Sequence, residues 1–127
     1  MIVIDTSALM AILFDESTAD ACAAALETDE PLLISAGTLA EALIVAQRRG
    51  RSRELEMLIE GLGVEIRNVT PKSTRGISEA YRIWGKGIHP AGLNFGDCFA
   101  YELAKTEGCP LLYVGNDFSQ TDISGVL

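Results

Sequence analysis

Four short apolar runs, each followed by helix-length sequence, constrain this chain more than any other feature. They are Ile2-Val3-Ile4, Leu32-Leu33-Ile34, Val64 to Ile66 with Val69, and Leu111-Leu112-Tyr113-Val114. Runs this short and rich in branched residues read as strands buried on both faces. Strands separated by helices must pair in parallel through right-handed crossovers. The expected fold is therefore a three-layer α/β/α sandwich around a mostly parallel sheet of four to five strands. At 127 residues, with 48% hydrophobic and 22% charged residues, a single domain over residues 1–127 is expected. Such a chain can fold on hydrophobic burial without a disulfide or metal staple.

Between the strands, helices are expected from Thr6 or Ser7 to Phe14, and from a capping signal at Ser17 and Asp20 to about Thr28. Leu39, Ala40, Leu43, Ile44 and Ala46 predict a helix over 37–49 with Gly50 as a left-handed stop. Further helices are expected from Ser52 to Glu60, closed by Gly61, from about Lys72 to Trp84, and from Phe95 to Glu107, ending at Gly108. Residues 88–94, with Pro90 and Gly92, read as a loop. No run is long and apolar enough to span a bilayer. The first residues show no basic leader or cleavage pattern, which predicts a cytoplasmic protein. Cys22, Cys98 and Cys109 lack C-x-x-C spacing and are expected to be reduced core thiols.

Charge is unevenly placed. Residues 1–47 hold eight acids and no Lys or Arg, residues 48–105 hold all ten bases, and the whole chain carries −8. That balance excludes a protein whose entire surface binds nucleic acid. Arg48, Arg49, Arg51 and Arg53 cluster, with Arg75, Arg82 and Lys86 following. They form either a basic rim or solvated helix ends.

Four acids stand apart. Asp5 and Asp117 each follow a predicted strand, at the edge where open α/β sheets place ligands. Glu41 is the only charged residue between Glu30 and Arg48, and Asp97 the only one between His89 and Glu102. An ionised carboxylate on a semi-apolar face is costly unless something compensates it, and no Lys or Arg is near in sequence. Each has a plainer reading: Asp5 as a helix cap, Asp97 as a dipole-favoured first-turn residue, Glu41 as surface, Asp117 as a turn residue. Together they form a hard, all-oxygen donor set, which suits Mg²⁺ or Mn²⁺ and not zinc. The chemistry this favours is phosphodiester hydrolysis. His89 stands alone, no phosphate loop or nucleophile elbow is present, and Tyr81 with Trp84 reads more readily as core than as a base-stacking pair.

Met1 to Leu9 with Asp5-Thr6-Ser7, Glu41 in its helix, Leu93-Asn94-Phe95-Gly96-Asp97-Cys98, and Gly115-Asn116-Asp117-Phe118 through Asp122 together resemble a PIN-domain ribonuclease of the VapC toxin family. The resemblance spans the chain. It implies a Mg²⁺-dependent endoribonuclease, with Mn²⁺ able to substitute, whose pocket is Asp5, Glu41, Asp97 and Asp117. Asp5 and Asp97 would bind the principal metal, while Glu41 and Asp117 would complete the pocket and orient water. Ser7 and Asn116 would be polar groups beside them, and the bases from Arg48 and Arg49 onward would meet the RNA backbone. The resemblance also implies a homodimer and a cognate VapB-type antitoxin, with promoter DNA bound only through the toxin–antitoxin complex. Two other readings stay open. One is a receiver-like or phosphatase-like Mg²⁺ domain, for which Asp15-Glu16 could mimic an acid pair. The other is a non-catalytic PIN-fold binding module.

Overall fold

The computed structural model describes residues 1–127. In chain order the elements are β1 (Ile2–Ile4), α1 (Thr6–Leu13), α2 (Ala19–Leu26), β2 (Leu32–Ser35), α3 (Ala36–Arg48), α4 (Ser52–Leu62), β3 (Glu65–Arg67), α5 (Pro71–Trp84), α6 (Phe95–Glu107) and β4 (Leu111–Leu112). The sheet runs β3-β2-β1-β4 and every pair is parallel, with Val3 opposite both Leu33 and Leu111. This is the expected three-layer sandwich with four strands. Because side chains alternate across a strand, Ile2, Ile4, Ile34 and Leu112 face one way and pack with Leu9, Cys22, Ala42 and Leu55. Val3, Leu33 and Leu111 face the other way and pack with Ala80, Leu93, Ala100 and Phe118. Helices α1 to α4 thus cover one face, and α5 with α6 the other. Each of the buried Val, Ile and Leu side chains contributes roughly 1.5–3 kcal/mol by removal from water.

Several boundaries differ from the sequence expectation. The edge strand β3 is Glu65–Arg67, not the Val64 to Val69 run. Val64 packs against the first core cluster just before it, and Ile66 stays 49% exposed, so only one face of this edge is covered. Helix α4 runs through Gly61 and stops at Gly63, whose φ of 64° is left-handed. The apolar stripe of Leu55, Leu58 and Ile59 continues to Leu62, which packs on the core and carries the helix past Gly61. Helix α2 is capped at Thr18 without any side-chain bond, so the Ser17 and Asp20 signal forms no box. Strand β4 is two residues long, because the chain turns away after Leu112 to carry Tyr113 and Phe118 back over the second cluster. Gly50 has the left-handed φ expected of it, and α6 has the predicted ends.

Cys22 and Cys98 are buried, Cys109 is partly exposed, and all are free thiols. No helix is long and apolar enough to cross a membrane. Helix α3 reaches across the sandwich to touch α6, and Gly37 sits beneath the Phe99 ring, where a Cβ would lie 2.6 Å from Cε1. That close approach sets the position of α3 and its Glu41 relative to the start of α6.

Candidate active site

The site starts from backbone geometry at the end of β1. Asp5 donates its N–H to the Leu112 carbonyl at 3.0 Å, which holds it beside the neighbouring strand β4. In extended conformation it caps α1, and its Oδ2 accepts from the Ser7 N–H at 3.0 Å and the Ser7 hydroxyl at 2.6 Å. The plain capping reading of Asp5 is therefore correct, and the cap orients the carboxylate. The same Ser7 hydroxyl accepts from the Val114 N–H at 2.9 Å, so one oxygen links Asp5 to the segment that carries Asn116 and Asp117.

Thr6 faces α3. Its hydroxyl donates to Glu41 Oε1 at 2.7 Å across a separation of 35 residues. The other face of Glu41 is closed by α6: a Cβ on Gly96 would overlap the carboxylate and lie 2.6 Å from its Cδ. Asp97 follows immediately. Asn94 forms a capping box with it, Asn94 Oδ1 accepting from the Asp97 N–H at 2.8 Å while Asp97 Oδ2 accepts from the Asn94 N–H at 3.0 Å. Such a reciprocal pair satisfies two helix-end donors and fixes the acid's rotamer. Asp97 is a first-turn acid as well as a candidate site residue. Asp117 lies exposed on the loop beyond β4.

The electrostatics bring these acids together. Burial pushes the Asp5 carboxyl up to about 6, against the Ser7 hydroxyl and amide that pull it down, with Glu41 raising it further. Burial pushes Asp97 up to about 7, against the Asn94 N–H, and the negative charges of Asp5, Asp117 and Glu41 all add to the rise. Asp97 is thus the residue that feels the other three. No ion pair in the protein reaches any of the four acids. As the side chains lie, no three carboxylates converge tightly enough to enclose an ion. The donor set nevertheless fits a hard divalent cation. Mg²⁺ keeps several waters and needs only one or two carboxylates, and the other acids can act through those waters.

Gly96→Ala separates the site from the fold. Alanine inside a helix is normally favoured over glycine by about 1 kcal/mol, but here the Cβ must displace Glu41 from Thr6. We expect kcat to fall at least about tenfold, as for loss of a positioned polar group, with melting temperature changed by only a few degrees. Gly61→Ala, where a Cβ meets nothing, is the matched control and should stabilise without changing kcat. Equal kcat for the two variants would remove Glu41 from the site.

Other sequence candidates lie elsewhere or have structural partners. Arg48 and Arg49 are at the C-terminal end of α3, on the order of 10 Å along the axis from Glu41 at 1.5 Å per residue. Arg49 stacks on Phe14, 4.0 Å from guanidinium carbon to ring centroid, and Arg51 donates to the Leu13 carbonyl. Both α1 and α3 begin at the acidic edge, so this basic cluster occupies the opposite end. Asn116 is exposed, and its carbonyl accepts from the Ser119 hydroxyl at 2.7 Å. Asp15 and Glu16 sit exposed just after α1, away from the strand ends, and supply no second acid to Asp5. His89 Nδ1 accepts from the Ala91 N–H, and its ring packs edge-on against Trp84 at 4.7 Å. Trp84 in turn donates to the Tyr101 hydroxyl, which donates to Asp122. The sequence reading assigned no role to Thr6, Asn94 or Gly96. Only Asn94 left a readable signal, the capping-box spacing to Asp97.

The chain matches the PIN domain family over residues 2–124. It is 46% identical over 127 residues to Ribonuclease VapC30 of Mycobacterium tuberculosis, covering 98% of this chain and 97% of that protein. Its fold is similar to the crystal structure of Mycobacterium tuberculosis VapC20, described as a sarcin-ricin loop cleaving toxin, with a TM-score of 0.79 at 16% identity, covering 97% of this chain and 96% of that one. It is also similar to a toxin-antitoxin complex from Klebsiella pneumoniae, with a TM-score of 0.72 at 18% identity, covering 96% of this chain and 93% of that one. A PIN-family match over almost the whole length, joined to near-half identity with a VapC ribonuclease, places this chain in the PIN-domain family among the VapC ribonucleases.

Proposed function

We propose that this protein is a Mg²⁺-dependent endoribonuclease, the toxin of a toxin–antitoxin pair, built as one domain over residues 1–127. The observation that carries the site is Asp97, buried at the start of α6, its carboxyl raised first by that burial and then by the charges of Asp5, Asp117 and Glu41, with no ion pair to any of the four. Its kinship with VapC ribonucleases supplies the substrate class.

In this reading Asp5 and Asp97 hold the ion, each with one oxygen fixed by protein hydrogen bonds. Mg²⁺, or Mn²⁺ in its place, supplies neutralisation of the acids and polarisation of the phosphodiester. Glu41, held at Oε1 by Thr6, offers Oε2 to orient the attacking water and accept its proton. Asp117 stands on the exposed loop beyond β4 as a second acceptor for water. Ser7 acts as a positioning group: it fixes Asp5 and ties it to the loop of Asp117.

The partners follow the same kinship. They are an RNA substrate, a VapB-type antitoxin protein and a second copy of the chain in a homodimer, with promoter DNA engaged only through the antitoxin complex, all in the cytoplasm. The neighbouring fold solved as a toxin-antitoxin complex supports the antitoxin. The test is incubation of the purified, antitoxin-free protein with total cellular RNA in Mg²⁺ or Mn²⁺, with end mapping of the products. Discrete cuts that vanish in EDTA are expected. Intact RNA in both metals, from folded protein, would overturn the reading.

A further inference from the structure

Phe95 is the most exposed large hydrophobic residue of the chain, 72% accessible, and it opens the helix that carries Asp97. Isolated exposed apolar residues are common and mean little. This one packs against a neighbouring ring and stands beside the acids. Its ring meets Phe99 edge-to-face, centroids 4.9 Å apart and planes at 88°. Phe99 in turn rests over Gly37, where any Cβ would collide with the ring. On one side of Phe95 a cleft of about 340 Å³ is lined by Phe95, Phe99, Ile44, Gly37, Gly96 and Glu41. On the other side a cleft of about 600 Å³ continues toward Tyr81 and Arg82 on α5.

We propose that Phe95 is a stacking platform for one unpaired nucleobase of the RNA, next to the phosphate positioned at the acids. The inference rests on the ribonuclease reading above and names a substrate contact within it. Single-stranded RNA is bound by laying bases on aromatic faces, because every base has a π-face and the contact tolerates sequence. A ring already packed against its neighbour has less conformational freedom to lose on stacking. The cleft lies within the size range of small-ligand sites. An apolar protein segment filling it would take Glu41 Oε2 from water, with only Oε1 held by Thr6, at a desolvation cost. A base is planar, and its edge can remain solvated there.

The test uses the full chain and an RNA substrate mapped from total RNA. Phe95→Leu keeps the hydrophobicity and removes the π-face, while Phe95→Trp restores it. KM is expected to rise roughly 5- to 100-fold in Phe95→Leu with kcat little changed, the signature of lost ground-state binding. Phe95→Trp should return KM to within about threefold of wild type, on the same scale of stacking energies. Melting temperature and mass in solution are measured for all three proteins. Unchanged KM in Phe95→Leu would overturn the proposal. So would a KM change that Phe95→Trp fails to rescue, and where it tracks a change in oligomeric mass Phe95 is a protein contact instead. If the wild-type protein cleaves no RNA at all, the ribonuclease reading fails first, before the variants are compared.

Discussion

Asp97→Asn is expected to lower kcat by at least about 10²–10³-fold while leaving the protein as stable as wild type or more so. The substitution keeps an oxygen at the position that accepts the Asn94 N–H, so the capping box and the start of α6 survive. What it removes is the charge. In the metal-free protein that charge stands among Asp5, Glu41 and Asp117 with no cation to balance it, so its loss relieves repulsion. On the proposed reading the same charge would hold the ion in the metal-loaded protein, so its loss should cost affinity and turnover. Cleavage kinetics and thermal unfolding in EDTA measure the two effects separately. A variant with near-wild-type kcat would place the chemistry elsewhere. A variant that melts far below wild type would make Asp97 a structural acid whose loss of activity means only loss of fold.

The second large effect is on the pH dependence of stability. Asp5 and Asp97 have folded-state pKa values of about 6 and about 7, raised chiefly by burial from the 3.8 of an exposed aspartate. Between about pH 4 and pH 7 the folded protein therefore holds more protons than the unfolded chain, so stability falls as pH rises through that window and levels off above it. A tenfold change in proton affinity is worth about 1.4 kcal/mol, so the pair costs the metal-free fold on the order of a few kcal/mol at pH 8 relative to pH 4. This is the reverse of salt-bridged carboxylates, whose contribution is lost on acidification. Mg²⁺ or Mn²⁺ should offset the cost, because an ion that binds only the folded state stabilises it by about 2.7 kcal/mol at one hundred times its Kd. The offset should be larger at pH 8 than at pH 5, where protons compete for the same oxygens. Thermal unfolding at the two pH values, with and without metal, checks this. Stability in EDTA that rises from pH 5 to pH 8 would contradict the buried acid cluster.

Much of the scaffold was readable before any coordinate. Helix α6 has its predicted ends because local chemistry marks both: Asn94 caps it, and Gly108 turns left-handed after it. The strands β1 and β2 stand out because they are buried on both faces, and an apolar run records that directly. Edge strand β3 was displaced because one covered face leaves a weaker apolar signal, and Ile66 faces solvent while Val64 reaches the core. The end of α4 was misplaced for a related reason: Gly61 is a plausible stop locally, and only the packing of Leu62 shows that the helix continues.

The four acids were legible one by one through their isolation from compensating bases, since the cost of an unpaired charge is visible along the chain. The strand ends put Asp5 and Asp117 at one edge, but the contacts that bring Glu41 and α6, with its Asp97, beside them left no local signal. The bond from Thr6 to Glu41, the link from Ser7 to Val114 and the contact of Gly96 with Glu41 join residues brought together by the parallel order of β1 and β4 and by the crossing of α3 over α6. The arginine cluster, a basic rim or solvated helix ends by sequence alone, is placed by the length of α3, which carries Arg48 and Arg49 on the order of 10 Å along the axis from Glu41, where Phe14 receives Arg49. By itself, then, the sequence determined which segments become strands and helices and which carboxylates lack partners, because periodicity, capping and charge act over a few residues. Tertiary packing alone decided which of those charges meet, because the meeting depends on strand order and helix crossing, which local sequence does not encode.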